Sequence, residues 1–222
     1  DVPGALTTFS AEALEALNPF YDGRLELTEA DALAIDERAL APSPVVIASN
    51  LPYNISTELL IKWLRANHDA DLPPLWKRMA LMFQKEVADR IVAAPGSKTY
   101  GRLSVIAQAA SRPRKAFDLP ARAFTPPPKV DSSIVIFDPV APLADIASLE
   151  ALTQAAFSQR RKMLRSSLRA VFGEMTEARL EAAGVAPTSR AEEISVDRFL
   201  ALARLSQEDR EARARPSPSG SA

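Results

Sequence analysis

A chain of 222 residues, 47% apolar and 25% charged, is long enough for one sizeable core and a small accessory domain and has an ordinary composition for a folded enzyme-sized protein. It has no cysteine and one histidine, His68, which excludes disulfides, thiolate metal sites, cysteine nucleophiles, His-rich metal centres and a serine-type triad. No apolar run approaches the ~20 residues that a membrane helix requires, and the acidic start lacks the basic and apolar regions of a signal peptide, so the expectations are no membrane, no metal, a cytoplasmic address and, by default, a monomer.

The formal net charge of −1 hides an asymmetry. Residues 1–60 carry two basic residues, Arg24 and Arg38, against ten acidic ones, leaving 25 basic and 18 acidic residues for the remainder. A phosphate backbone would be repelled by the first part and attracted by the rest. Two groups sharpen that asymmetry. Arg160, Arg161, Lys162, Arg165 and Arg169 fall within ten residues with no acid among them, and Arg112, Arg114, Lys115, Arg122 and Lys129 form a second group.

In chain order, residues 10–17 read as a helix and 24–28 as a short strand ending near Glu29 and Asp31. The apolar run 45–49 is a buried strand that delivers the polar loop Asn50-Leu51-Pro52-Tyr53-Asn54-Ile55-Ser56-Thr57. Ser56 and Thr57 are placed to cap a helix whose spacing of Leu59, Leu60, Trp63 and Leu64 gives one apolar, core-facing side. A second buried strand follows over 79–83, then helix over 85–93, a loop at 95–98, and a small-residue helix over 101–110. The alternation over 132–137 predicts a late strand, and the Pro-rich stretch 138–142 marks a boundary. Beyond it the pattern is helical only, over 146–158, 160–172, 176–183 and 195–205, with turns at Gly173, Gly184 and Pro187. Strands and then helices in two blocks predict an α/β domain over 1–140, an all-α domain over 141–206, and a flexible tail over 207–222 whose first half could extend the last helix.

In open α/β sheets ligands sit at the carboxyl ends of the strands, which makes the Asn50–Thr57 loop the first candidate site. Its chemistry suits an amino group on an aromatic ring. The Asn50 side-chain oxygen and a backbone carbonyl held beside it by Pro52 can accept hydrogen bonds from an exocyclic NH2, while Tyr53 offers a stacking face. This Asn-Leu-Pro-Tyr-Asn-Ile-Ser stretch resembles the target-base motif of the ribosomal RNA adenine dimethyltransferases. Three further stretches carry the same resemblance over roughly residues 25–205: Phe83 to Ile91 with Tyr100 to Val105, Ala123 to Ser132 with its Phe-x-Pro-Pro-Pro-Lys-Val core, and Phe157 to Arg165.

The resemblance implies a Rossmann-like, S-adenosylmethionine-dependent methyltransferase domain followed by a small all-α domain that docks RNA. It implies as substrate two adjacent adenines near the 3′ end of small-subunit ribosomal RNA in a pre-30S particle, each receiving two methyl groups. Within the site it implies that Asn50 and the Leu51 carbonyl grip the adenine amino group, that Tyr53 and Phe124 stack on the flipped ring, and that Pro52 shapes the loop. Gly4, Asp31 and Asn50 would line the cofactor, with Asp31 accepting from its adenine amino group. Lys129, Arg160, Arg161, Lys162 and Arg165 would contact RNA, although Lys129 also reads as a solvated charge and Asp31 as a loop or cap carboxylate. Two rivals remain: a macrolide-resistance type of methyltransferase acting on large-subunit RNA, against which the form Asn-Leu-Pro-Tyr-Asn-Ile-Ser with Tyr-Gly-Arg-Leu-Ser-Val argues, and an RNA-binding assembly factor that has lost cofactor binding.

The match fails at the amino end. Pro3-Gly4-Ala5-Leu6-Thr7 resembles only the end of the family's glycine turn, and the strand bearing the ribose acid has no counterpart, since Glu12 and Glu15 on the short helix cannot be equated with it. Either residues before and after Pro3-Gly4 belong to a longer chain whose cofactor loop is mobile, or the molecule is truncated. The first is favoured, because loss of a central strand would expose apolar surface on its neighbours. An intact mass above that of 222 residues would decide it. With half the pocket missing, a structure without bound cofactor is expected.

Overall fold

Val45–Asn50, Trp76–Gln84 and Ser132–Pro139 alternate or run apolar long enough to be buried strands, and they form the middle of a five-stranded sheet (β2, β3 and β5) in a computed structural model that describes residues 5–8, 26, 28–159 and 162–214. Ala5–Thr8 (β1) and Ser111–Leu119 (β4) complete it in the order β1-β2-β3-β5-β4. The pairs β1–β2 and β2–β3 are parallel, while β5 runs antiparallel to both β3 and β4. The carboxyl ends of β2, β3 and β4 and the start of β5 therefore share one end of the sheet: Asn50 aligns with Met82, and Ser132 with both Gln84 and Leu119.

The helix over 10–17 lies outside the described residues, as does most of the strand over 24–28. Its described members Glu26 and Thr28 are not in a strand.

β4 is an element that periodicity did not reveal. Its charged residues 112–115 read as a basic cluster because an edge strand has one partner, needs no continuous apolar face and tolerates Pro113. Lys85–Ile91 (α2) packs over β3, β5 and β4 and is cross-linked to the edge strand by charge. Lys115 Nζ lies 2.8 Å from Asp89 Oδ1, and Lys85 bonds Asp118. Lys85 first, then Ser133 and Lys115, hold the Asp118 carboxyl well below the usual carboxylate range.

Ser56–Ala66 (α1) follows β2 directly, and Leu59, Leu60, Trp63 and Leu64 are buried on it as their spacing predicts. The helix is not capped as expected. A turn from Ile55 N to the Pro52 carbonyl places Ile55 at the N-cap, and the Ser56 hydroxyl instead donates to the Tyr53 carbonyl at 3.2 Å. At its other end Asn67 acts as a stand-in strand neighbour: its Nδ2 donates to the Trp76 carbonyl at 2.8 Å and its Oδ1 accepts from Trp76 N at 2.9 Å, both buried.

His68, next in the chain, is 6% exposed and donates through Nε2 to the Ala110 carbonyl at 2.8 Å. Burial lowers its pKa below 6.5 against the opposing effect of that hydrogen bond. On acidification the unfolded chain therefore takes up the proton first, so this contribution to stability is complete above pH 6.5 and is lost as pH falls through and below it. His68 is the chain's one histidine. Thermal unfolding followed between about pH 7.5 and 5.5 should show Tm falling with pH, and a His68→Gln variant should flatten that slope.

By contact the chain divides into two compact units, residues 1–92 with 110–142, and residues 93–109 with 143–222. Among the described residues, the regular elements of the second are helices. Arg102–Ala110 (α3) starts it, and Ile146–Ala156 (α4) packs along Val196–Ala214 (α8), which runs eight residues past the expected boundary at 206. Its core gathers Leu149, Leu152, Phe172, Leu180, Phe199 and Leu202. Phe157 stacks on Phe199 with centroids 5.6 Å apart, and Tyr100 meets Phe157 edge-on while donating to the Ile194 carbonyl at 3.1 Å. Burial pushes the Tyr100 phenol up to about 12.

The helix expected over 160–172 is absent as such. Leu164–Ser167 (α5) and Arg169–Phe172 (α6) are two single turns, because Met163 bridges to Arg190 and Leu164 N donates to the Ser189 carbonyl, holding Met163 in an extended conformation. Thr176–Ala182 (α7) is then closed off at Gly184, whose φ of +67° lies in the left-handed region that favours glycine.

Candidate functional site

Asn50, the last residue of β2, is exposed at the carboxyl edge of the sheet, while Leu51 behind it is 2% exposed and anchors the turn in the core. Pro52 is exposed and half-buried Tyr53 stands at the loop's tip, so the Asn50 carboxamide, the Leu51 backbone and the Tyr53 ring arise within four residues of a rigid strand end. Two hydrogen bonds make the loop firm, Ile55 N to Pro52 O and Ser56 Oγ to Tyr53 O. A third reaches across the fold: Tyr53 Oη and Ser132 Oγ share a hydrogen bond of 2.8 Å, with Ser132 fully buried at the start of β5. The ring is thereby fixed at its far end as well as at its backbone. Ser132 belongs to the Pro-rich motif, which was the signal for it, but no spacing rule connects it to Tyr53.

Phe124, half-buried, lies on the loop that leads into Ser132. The loop is closed at its foot, where Ala121 N donates to Asp131 Oδ1 at 2.9 Å and Lys85 N donates to the Asp131 carbonyl at 2.9 Å. The foot of the Phe124 loop and the Tyr53 ring thus meet at Asp131-Ser132, at the same end of the sheet as Asn50. Lys129 is exposed on that loop.

Gly4 lies outside the described residues. Asp31 is exposed, and its Oδ1 accepts from Leu33 N at 2.9 Å while its carbonyl accepts from Ala34 N and Ile35 N, so it starts a tight turn as a loop carboxylate does. A carboxylate on that turn and a carboxamide at the strand end fit the adenine end of S-adenosylmethionine by donor and acceptor chemistry.

In the second unit Arg160 and Arg161 lie outside the described residues, and Lys162 and Arg165 are exposed. The run without acids in sequence does not stay so in space. Arg165 Nη1 is 4.0 Å from Glu177 Oε1 and Arg169 Nη2 is 2.8 Å from Glu174 Oε1, because α7 and the turn before it bring acids against α5 and α6. Exposed pairs of this kind contribute little and are easily exchanged for phosphate. Among the described residues no cluster of metal-ligating side chains occurs, and no helix is long and apolar enough to cross a membrane.

The chain has relatives among known proteins. Residues 7–208 match the family described as ribosomal RNA adenine dimethylase. The ribosomal RNA small subunit methyltransferase A of Ruegeria sp. strain TM1040 is 52% identical over 196 residues, covering 86% of this chain and 68% of that protein. Its counterpart in Mesorhizobium japonicum is 52% identical over 198 residues, covering 86% and 69%. Among solved structures, a dimethyladenosine transferase from Plasmodium falciparum superposes with a TM-score of 0.76 at 25% identity, covering 94% of this chain and 82% of that one. With the motifs in one order and the match running through both units, the chain belongs to the ribosomal RNA adenine dimethylase family.

Proposed function

We propose that this protein transfers methyl groups from S-adenosylmethionine to N6 of two adjacent adenines near the 3′ end of small-subunit ribosomal RNA, two to each, in the cytoplasm and on a pre-30S particle. The observation that carries the reading is the Tyr53–Ser132 hydrogen bond, which holds an aromatic face rigidly beside the Asn50-Leu51 strand end. An adenine N6 is a poor nucleophile because its lone pair is delocalised into the ring. Two acceptors displaced from the ring plane, the Asn50 side-chain oxygen and the Leu51 carbonyl, favour a pyramidal nitrogen with its lone pair directed at an incoming methyl group. The cofactor supplies the electrophilic sulfonium methyl; the chain's residues orient. Orientation of this kind supplies about 7–11 kcal/mol in well-aligned cases, more than a single hydrogen bond provides.

Asp31 takes the cofactor's adenine amino group, with Gly4 beside the cofactor, and Lys129, Arg160, Arg161, Lys162 and Arg165 contact phosphates. Names of the relatives favour neither an assembly factor without catalysis nor a large-subunit enzyme. Phe124 forms the second stacking wall. Base–aromatic stacking is worth about 1–3 kcal/mol, so Phe124→Ala should lower kcat/KM roughly 10- to 100-fold while leaving the melting temperature within a degree or so, Phe124 being half-buried on a loop.

The test is transfer of labelled methyl groups to small-subunit particles lacking the modification, followed by digestion and nucleoside separation. Label in N6,N6-dimethyladenosine supports the assignment. Absence of label from protein that still binds the particle overturns it in favour of RNA binding alone.

A further inference from the structure

Residues 31–39 have almost no regular structure, yet they are held along α1 by a dense set of bonds. Lys62 Nζ donates to the Ala32 carbonyl at 2.9 Å, to the Ile35 carbonyl at 2.5 Å and to Glu37 Oε1 at 2.8 Å, which uses all three ammonium hydrogens. The same Glu37 oxygen, on a residue only 7% exposed, accepts from Trp63 Nε1 at 2.6 Å. Arg38 Nη2 closes the far end by donating to the Ala66 carbonyl at 2.8 Å. A loop needing only to cross the surface would leave such carbonyls to water; here they are given to a lysine and backed by a buried carboxylate.

The helix that does this is the one that begins at Ser56, directly after the Asn50–Tyr53 loop. One rigid element thus carries the target-base loop at its start and grips the Asp31 segment along its length. We propose that Lys62, together with Glu37, is a positioning residue that sets the Asp31 turn for the adenine of S-adenosylmethionine and fixes it relative to the target-base loop. Lys62 acts through the Ala32 and Ile35 carbonyls and touches no reactant. This rests on the reading of Asp31 as the cofactor's adenine acceptor.

The experiment is calorimetric binding of S-adenosylhomocysteine to the full chain, with melting temperature and affinity for a small-subunit RNA hairpin measured in parallel. Asp31→Ala, Lys62→Met, the neutral pair Lys62→Met/Glu37→Gln and the triple change with Asp31→Ala are compared with the parent. The Gln retains an acceptor for Trp63 and removes the buried charge that Lys62→Met alone leaves uncompensated, so the pair stays folded. Expected are losses of about tenfold in S-adenosylhomocysteine affinity for Asp31→Ala and for the neutral pair, unchanged RNA affinity, and no further loss in the triple variant. If Asp31→Ala weakens binding and the folded neutral pair does not, the positioning role is overturned and the Asp31 reading survives. If Asp31→Ala binds like the parent, or the parent takes up no S-adenosylhomocysteine, the Asp31 reading falls and the proposal falls with it. A neutral pair that loses RNA affinity in step with S-adenosylhomocysteine affinity would mark a general structural role and also overturn it.

Discussion

Asn50→Ala should abolish most methyl transfer while leaving the protein folded and RNA-bound. Asn50 is exposed at the end of β2, so truncation opens no cavity and disturbs neither the buried Leu51 nor the Tyr53–Ser132 bond. On the proposed reading, what is lost is one of two acceptors for the adenine amino group, an interaction that gains strength as the reaction proceeds. Removing one preorganised group of this kind typically lowers kcat by about 10²–10³-fold. Single-turnover transfer of labelled methyl groups to unmodified particles measures it, with filter binding to the same particles as the control. A fall in particle affinity with kcat preserved would show that Asn50 serves docking and not the chemical step.

The second large effect concerns stability. Asn67 gives both ends of its carboxamide to the backbone of Trp76, one donor and one acceptor at 2.8 and 2.9 Å, in a setting where Asn67 is 7% exposed and Trp76 fully buried. Asn67→Ala leaves a buried N–H and a buried C=O without those partners. Each such group costs about 1–3 kcal/mol, so unfolding free energy should drop by roughly 2–6 kcal/mol. Denaturant unfolding followed by tryptophan fluorescence reads this directly, since Trp63 and Trp76 are the chain's two tryptophans and are themselves joined, Trp76 Nε1 donating to the Trp63 carbonyl at 2.7 Å. A loss below about 0.5 kcal/mol would mean that the start of β3 finds other partners and that Asn67 is replaceable.

The charged residues show where a sequence misleads. Arg160 to Arg169 contains no acid, and on that basis it reads as one basic helix face. The fold breaks the helix at Met163 and Leu164, which pair with 189–190, and sets Glu174 and Glu177 against Arg169 and Arg165. Likewise residues 112–115 read as a loose basic cluster and are an edge strand whose Lys115 is committed to Asp89. In both places what the chain pattern missed was the partner: a charge pattern records what is near in the chain, whereas a counter-charge can come from any element that packs nearby.

What the sequence determined by itself was local or carried by contiguous motifs. The apolar run ending at Asn50, the buried strand through Met79 and Phe83, the core face of Leu59, Leu60, Trp63 and Leu64, and the helical character beyond residue 142 all follow from periodicity, because burying one face imposes a repeat of two or 3.6. The family followed from four motifs in a fixed order. The tertiary structure alone decided which distant groups meet: Tyr53 with Ser132 across 79 positions, Lys62 with Glu37 across 25, and an edge for β4 beside β5. Such pairs leave no spacing in the chain, since a hydrogen bond formed by closing a long loop depends on the packing of the elements between its ends and on no repeat within either partner.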